Sequence, residues 1–314
     1  MSTDLQQTGY VFNEVFINHV LSPGHPESPE RLIKIQKRLK NSGLIKELKQ
    51  VEALSDSSEF IASIHSPSHI ESVSKLEDSG PIAKLAINSA LGAVRDVCEG
   101  KLINAFCAIR PPGHHCHNNG AHFDDYGQGE GFCFYNNIAI SARYAQQVYK
   151  LERILIIDWD YHHGNGTEWA FYNDPSVLFF STHDLYGYPG TGSAERIGEG
   201  DGEGYNLNVP LEQGAWDTDA LRAFEKKLLP AADSFKPQLI LVSAGFDAHM
   251  ADPLGTFNFS DSGFAKLSQV VTDIARRHTG GKLISFLEGG YNVDSLANAV
   301  EAHVGVLVEE AGKR

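Results

Sequence analysis

The segment Asp158-Trp159-Asp160-Tyr161-His162-His163 crowds carboxylates and imidazoles into a few positions. Asp160 and His162 are two residues apart, so in an extended turn their side chains point the same way. A carboxylate and an imidazole are good zinc ligands. Asp247, in the run SAGFDAHMAD (243–252), is the leading candidate for a third. Three protein ligands leave a position open for water and substrate, which a catalytic zinc requires. Taken alone, a DxDxH pattern fits loop residues making turns and caps about as well as it fits a metal site.

Two adjacent histidines, His114 and His115, follow Pro111-Pro112-Gly113. Groups that titrate near neutral pH suit deprotonation of a water and protonation of a leaving amine, so the pair is read as general base and general acid. Each needs a partner on its other ring nitrogen, and Asp158 and Asn165 are available. These partners are not equivalent: a carboxylate favours imidazolium, and an amide favours it less. Gly289-Gly290 permits a sharp turn that brings the Tyr291 hydroxyl close to a ligand, where a phenol can donate to a developing oxyanion. In Gly131-Phe132-Cys133-Phe134, Phe132 can wall a narrow channel together with Tyr188. Gly131 and Gly289 are assigned to the same channel, Phe134 fits a core position, and Cys133 reads as structural.

These residues need a frame. Short apolar runs alternate with amphipathic stretches, the pattern of a mostly parallel α/β sheet flanked by helices. The runs 104–109, 153–157, 177–180, 238–242 and 282–287 predict strands buried on both faces. Helices are predicted over 81–99, 137–149, 218–229, 262–278 and 293–310. Another is predicted to start at Ser28 as cap with Pro29 in the first helical position, and to end at Gly43. Its Lys34, Lys37, Arg38 and Lys40 interleave with Leu32, Ile35 and Leu39, which predicts a solvated face rather than a targeting signal. No linker-like stretch divides the chain, so a single domain over 1–314 is expected, with the glycine-rich 187–204 as a rim loop. Five predicted strands end in polar segments: 110–117, 158–166, 181–184, 243–252 and 288–292. Ligands of open α/β sheets bind beyond the carboxyl ends of the strands, so the five segments should converge on one site.

The 314 residues carry 26 Lys and Arg against 40 Asp and Glu, a net charge of −14. That balance argues against direct nucleic-acid binding and suits a cationic substrate, although ordinary solubility explains it equally well. The four cysteines form no CxxC pair and do not read as a zinc framework. With no secretory-type segment at the N-terminus and no apolar run long enough to span a bilayer, a cytoplasmic protein with reduced thiols and no membrane association is expected.

HPESPERL (25–32), RPPGHH (110–115), GFCFYNN (131–137), IDWDYHHGNGT (157–167), PGTG (189–192), SAGFDAHMADPLG (243–255) and EGGYN (288–292) are together very specific. With them the chain resembles the zinc-dependent histone deacetylase family in its class II-like branch, which is similar to acetylpolyamine amidohydrolases. The resemblance runs from about Gly9 to near the C-terminus. It implies the arginase/deacetylase fold, with the active site in loops at the C-terminal strand ends. It implies a hydrolase that removes acetyl or a similar acyl group from an acylated lysine peptide or an acylated small amine. Zinc would sit on Asp160, His162 and Asp247. His114 and His115 would be the acid/base pair, backed by Asp158 and Asn165, with Tyr291 as oxyanion donor and Phe132 as channel wall. Class I relatives carry Asp where this chain has Asn165. Structural potassium is implied near Asp158, Asp160, His162, Ser181 and Thr182. A second potassium is implied near Phe171, Asp174, Val177 and Tyr205, mostly through backbone oxygens. A homo-oligomer is compatible with all of this.

Two departures from the family pattern stand out. The stretch 116–130 is longer than usual and places His117, His122, Asp124, Asp125 and Glu130 beside the expected site, where they would clamp a cation or simply be solvated. The segment 75–81 is short, leaving Asp78 as a stand-in for an Asp that grips the substrate backbone in relatives. Leu254 stands where a polyamine-selective relative carries Glu, which weakens a polyamine reading. A binuclear manganese ureohydrolase would need further bridging carboxylates. A non-catalytic acyl-lysine reader would not need His114, His115 and Tyr291 intact.

Overall fold

A computed structural model of the protein describes residues 7–119 and 130–313. Among the described residues, eight strands form one sheet: β1 (Gln7–Val11), β2 (Leu48–Gln50), β3 (Leu102–Cys107), β4 (Ile154–Asp158), β5 (Val177–Asp184), β6 (Asn206–Leu211), β7 (Leu239–Ala244) and β8 (Leu283–Leu287). They pair in the order β2-β1-β3-β8-β7-β4-β5-β6, and every pairing is parallel. The strands β3, β8, β7, β4 and β5 are immediate neighbours and are buried along their whole length. Because they are parallel, the five polar segments that follow or end them lie side by side on one edge of the sheet.

Ten α-helices accompany the sheet among the described residues: α1 (Glu30–Ser42), α2 (Ser58–Ile61), α3 (Pro67–Ser74), α4 (Ser79–Cys98), α5 (Asn137–Tyr149), α6 (Asn165–Phe171), α7 (Asp217–Ala223), α8 (Leu229–Phe235), α9 (Asp261–His278) and α10 (Val293–Gly312). α10 packs on α1 and α9, α4 packs on α5, and both α4 and α10 lie against β1 and β3. Two helices start immediately after chemically important turns, each with a side-chain cap. Asn136 Oδ1 accepts the N–H of Ala139, and Asn292 Oδ1 accepts that of Ser295. No helix among the described residues is long and apolar enough to cross a membrane.

The structure revises several sequence-based boundaries. α1 starts at Glu30 without a side-chain cap, with Pro29 at the capping position rather than Ser28; the Ser28 carbonyl accepts the Arg31 N–H instead. Gly43 ends that helix with φ 86°, a conformation that glycine adopts without strain. β5 runs through Asp184 instead of stopping at Phe180, because β6 pairs with it from Phe179 to Asp184 and supplies a ladder for its polar end. The helix predicted over 218–229 is longer and interrupted. It widens into a π-turn at Phe224–Leu228 and continues as α8 to Phe235, which accommodates Pro230 and its missing N–H. β1, β2, β6, α2, α3 and α6 were not predicted; they are short or too polar to leave a periodic signal.

Candidate active site

Asp158 is the last residue of β4, and the chain then turns tightly rather than extending. Asp158 Oδ1 accepts the N–H of Asp160 at 3.1 Å, and Asp160 Oδ1 accepts the N–H of His162 at 2.8 Å. These side-chain turns replace the extended geometry expected from the sequence, yet still bring Asp160 and His162 together. His162 Nδ1 lies 3.1 Å from Asp160 Oδ1 and 2.9 Å from Asp247 Oδ2. Asp247 follows β7, and its other oxygen accepts the N–H of Tyr161 at 2.9 Å. One atom from each of Asp160, His162 and Asp247 thus falls within 4.8 Å of the others.

The electrostatics of this trio suit a cation. Burial pulls His162 down, but hydrogen bonds and proximity to Asp160 and Asp247 outweigh it and raise it to about 10. Burial and the Asp160 charge push Asp247 up to about 7. Asp158, Asp160, Asp247 and Glu288 are all buried, and among the described residues no Lys or Arg forms an ion pair with them. Such unbalanced buried charge is costly unless a metal or protons compensate it. Two carboxylates and one imidazole form a donor set that fits zinc.

His114 and His115 follow β3. His114 Nδ1 is 2.9 Å from Asp158 Oδ2, and His115 Nδ1 is 2.7 Å from Asn165 Oδ1. The two rings are 4.0 Å apart. Burial opposes a charge on both, but Asp158, Asp160 and Glu288 raise His114 well above the usual histidine range. His115 lacks a carboxylate partner, and burial with the nearby His114 and His162 lowers it well below that range. The non-equivalence anticipated from Asp158 and Asn165 is present in the geometry.

The turn after β8 closes the site. Gly289 N–H donates to Asp160 Oδ2 at 2.8 Å, and a Cβ at Gly289 would run into the Asp247 carboxylate. Only glycine permits this approach. Burial, with Asp247 and Asp160 nearby, raises Tyr291 well above the usual phenol range. The Phe132 ring lies 6.0 Å from Tyr291, and Tyr188 lies 5.1 Å from His115 and 6.3 Å from His162. Phe132 takes a left-handed φ of 68° after Gly131 at 50°, where a Cβ would strike the His115 ring. Glu130 pins this double turn: its carbonyl accepts the N–H of Cys133, and its carboxylate sits 2.6 Å from His117 Nδ1.

Of the other expected residues, Ser181 and Thr182 are buried in β5, and Asp158 pairs in register with Ser181. Phe171, Asp174 and Val177 are linked by two successive turns, in which the Phe171 carbonyl accepts the Asp174 N–H and the Asp174 carbonyl accepts that of Val177, and the Tyr205 carbonyl accepts the N–H of Phe179. Arg143 pairs with Asp174 at 2.6 Å and lies over Phe171. Asp78 is exposed at the start of α4, with no hydrogen bond or ion pair among the described residues. His122, Asp124 and Asp125 lie outside the described residues.

Sequence reasoning missed the support behind the site. Arg31 donates to the carbonyl oxygens of Gly290 at 2.6 Å and of Glu288, and to the Glu27 carboxylate at 2.9 Å. Arg110 also grips Glu27 through two nitrogens, and all three side chains are fully buried. The available signal was a charged Arg31 on the apolar stripe of α1, four residues after Glu27. His25, whose ring is 4.5 Å from Phe132, was also missed. A second group, His65, His69 and Cys116, has ligand-type atoms close together. There, both ring nitrogens of His65 are engaged by backbone groups of His117 and Asn136, and His69 and Cys116 bond to the Phe134 carbonyl. This group fastens the segment after His115 to the one before α5.

A family profile described as a histone deacetylase domain matches residues 25–307. This chain belongs to the histone deacetylase family. It is 37% identical to a probable deacetylase of Archaeoglobus fulgidus, over 91% of this chain and 82% of that protein. It is 48% identical to histone deacetylase 10, chloroplastic, of Oryza sativa subsp. japonica over 62% of this chain; that match spans 42% of the relative, less than half its length. The solved HDA15 HD domain superposes with a TM-score of 0.89 and 34% identity, covering 98% of this chain and 90% of that one. The sheet is therefore that of the arginase/deacetylase fold, and the chain is a deacetylase-type hydrolase of a zinc-dependent family.

Proposed function

We propose that this histone deacetylase family member is a zinc-dependent deacylase acting on an acyl group at the end of an aliphatic amine, acetyl-lysine of peptides foremost. The observation that carries this reading is one convergence. The Asp160–His162–Asp247 trio and the His114–Asp158 and His115–Asn165 pairs come together beyond neighbouring strands, and the turn that carries Tyr291 joins them through the Gly289 N–H on Asp160. Zinc held by the trio would supply Lewis acidity toward the acyl carbonyl and the attacking water. His115, partnered by a neutral amide, takes the proton from that water and returns it to the leaving amine. His114, held as imidazolium by Asp158, stabilises negative charge beside it. Tyr291 donates its hydroxyl to the developing oxyanion. Phe132 and Tyr188 flank an aliphatic chain and keep water away. The oxygens around Ser181 and around Phe171–Val177 are assigned to structural potassium, and the chain acts as one catalytic domain.

Peptide substrates are favoured over acylated polyamines by two observations. Leu254 is an exposed apolar residue, and Glu130 is already paired with His117 and so is not a free clamp for a cation. The test is steady-state turnover of the zinc-loaded protein on acetyl-lysine peptides, free acetyl-lysine, acetylated polyamines, longer acyl-lysines and an aryl ester. The fastest kcat/KM is expected on the acetyl-lysine peptides. Dominant turnover of acetylpolyamines would replace the substrate assignment, and no turnover by zinc-bound protein would overturn the deacylase reading.

A further inference from the structure

The mechanism above gives no task to Glu288, a fully buried carboxylate at the heart of the site. It follows β8, and its side chain reaches sideways to the loop of the neighbouring strand β3. Glu288 Oε2 accepts the N–H of Gly113 at 2.7 Å and that of His114 at 3.2 Å. Ser243 Oγ, near the end of β7 on the other side, approaches Oε1 at 3.4 Å. Pro111 and Pro112 have no N–H, so these are the first two donors available in the segment that presents the histidines. A buried N–H without an acceptor is costly, and an ionised acceptor binds it more strongly than a neutral one.

The backbone of Glu288 is as tightly held as its side chain. Its carbonyl and that of Gly290 both accept from Arg31, and Gly289 N–H donates to Asp160. The turn that delivers Tyr291 and the turn that delivers His114 and His115 are therefore joined through one side chain.

We propose that Glu288 is a positioning residue that locks the backbone of Gly113 and His114 to the Tyr291 turn, so that the histidine pair and the tyrosine hold one fixed geometry. This rests on the reading that His114, His115 and Tyr291 carry the chemistry. Small displacements of such groups are expensive: about 1 Å of misplacement costs on the order of 10²-fold in rate.

The experiment compares the zinc-loaded parent with Glu288→Met, which keeps the volume and removes the acceptor, and Glu288→Gln, whose amide oxygen still accepts. Three quantities are read: kcat and KM on an acetyl-lysine peptide, bound zinc, and amide hydrogen exchange at Gly113 and His114. Glu288→Met is expected to lower kcat about 10²-fold with KM changed less than about threefold and zinc retained. Exchange at the two amides should quicken at least about tenfold, since they lose their acceptor. Glu288→Gln should keep kcat within about tenfold of the parent and slow exchange. Parent-like exchange in Glu288→Met, or equal loss of kcat in both variants, would overturn the assignment. If the parent turns over no amide, the deacylase reading fails, and the exchange comparison still decides whether Glu288 holds the histidine segment.

Discussion

Asp252 Oδ2 accepts the backbone N–H of Tyr291 at 2.6 Å, so the loop after β7 that supplies Asp247 also fixes the start of the tyrosine turn. The same oxygen accepts the N–H of Asn292 at 3.2 Å, and Oδ1 accepts that of Leu254 at 3.0 Å. Asp252→Ala frees three N–H groups at once. It is expected to lower kcat by roughly 10- to 100-fold through misplacement of Tyr291, with zinc still bound. Asp252→Asn, which keeps one acceptor oxygen, should lose less. Equal and parent-like kcat values in both variants would show that Tyr291 does not depend on this contact.

Tyr291 and Asp247 separate two kinds of failure. Tyr291→Phe removes a hydroxyl and no metal ligand, so kcat should fall about 10²–10³-fold while zinc stoichiometry stays at the parent level. Asp247→Ala removes a member of the donor set, so zinc content and activity should fall together. Metal analysis alongside kinetics checks both. A Tyr291→Phe variant with near-parent kcat would remove the phenol from the mechanism.

The residues that face the reacting point were legible because their types are chemically unusual at the ends of apolar runs. His114, Asp160, His162 and Asp247 each follow a strand that the sequence marks by a short apolar burst. Their supporters were less visible because they act through groups that every residue has. Glu288 and Asp252 accept backbone N–H groups, and Arg31 donates to backbone carbonyls. Nothing in residue type reveals which peptide groups a fold leaves needing a partner. Two strands at one end of the sheet escaped for a different reason. β1 (QTGYV) and β2 (LKQ) are short and partly polar, and they become strands only because the sheet offers them a ladder.

Glu27 offers a stability prediction away from the chemistry. Burial alone would raise its pKa, but the adjoining Arg110 and Arg31 overcome that and lower it to about 2. Glu27→Ala leaves two buried guanidinium groups without their shared carboxylate. Removing one partner of a buried ion pair costs roughly 3–5 kcal/mol. Chemical denaturation should report a loss of that order. Because Arg31 also grips the Glu288 and Gly290 carbonyls, activity should fall even at temperatures where the variant remains folded. A loss below about 1 kcal/mol, the scale of an exposed pair, would mean that the arginines find other partners.

Acid sensitivity should come first from histidines remote from the reacting point. Burial holds His303, His65 and His183 down at about 3 and His19 at about 4, so all four are neutral in the folded protein at neutral pH. His303 shows why: it sits between Ser268 and Ser285 at 2.6 and 2.9 Å, with no carboxylate partner to support a charge. In the unfolded chain such groups titrate near 6.5, so below that pH the unfolded state binds protons that the folded state refuses. Stability from these groups is complete above about 6.5 and is lost as pH falls toward their folded values. Each contributes a slope of up to about 1.4 kcal/mol per pH unit. Glu27, lowered from 4.5 to about 2, adds its own loss only below about 4.5. The histidine share of the unfolding free energy, measured by denaturant at pH 7, 6, 5 and 4, should therefore decline ahead of the Glu27 share, against an opposite contribution from Asp247 and Glu288, which are raised to about 7 and take up protons first in the folded state. His303→Gln should reduce that slope by about one histidine's share. Equal slopes for the parent and His303→Gln from pH 7 to 5 would mean that His303 meets protons in the folded state as readily as in the unfolded one.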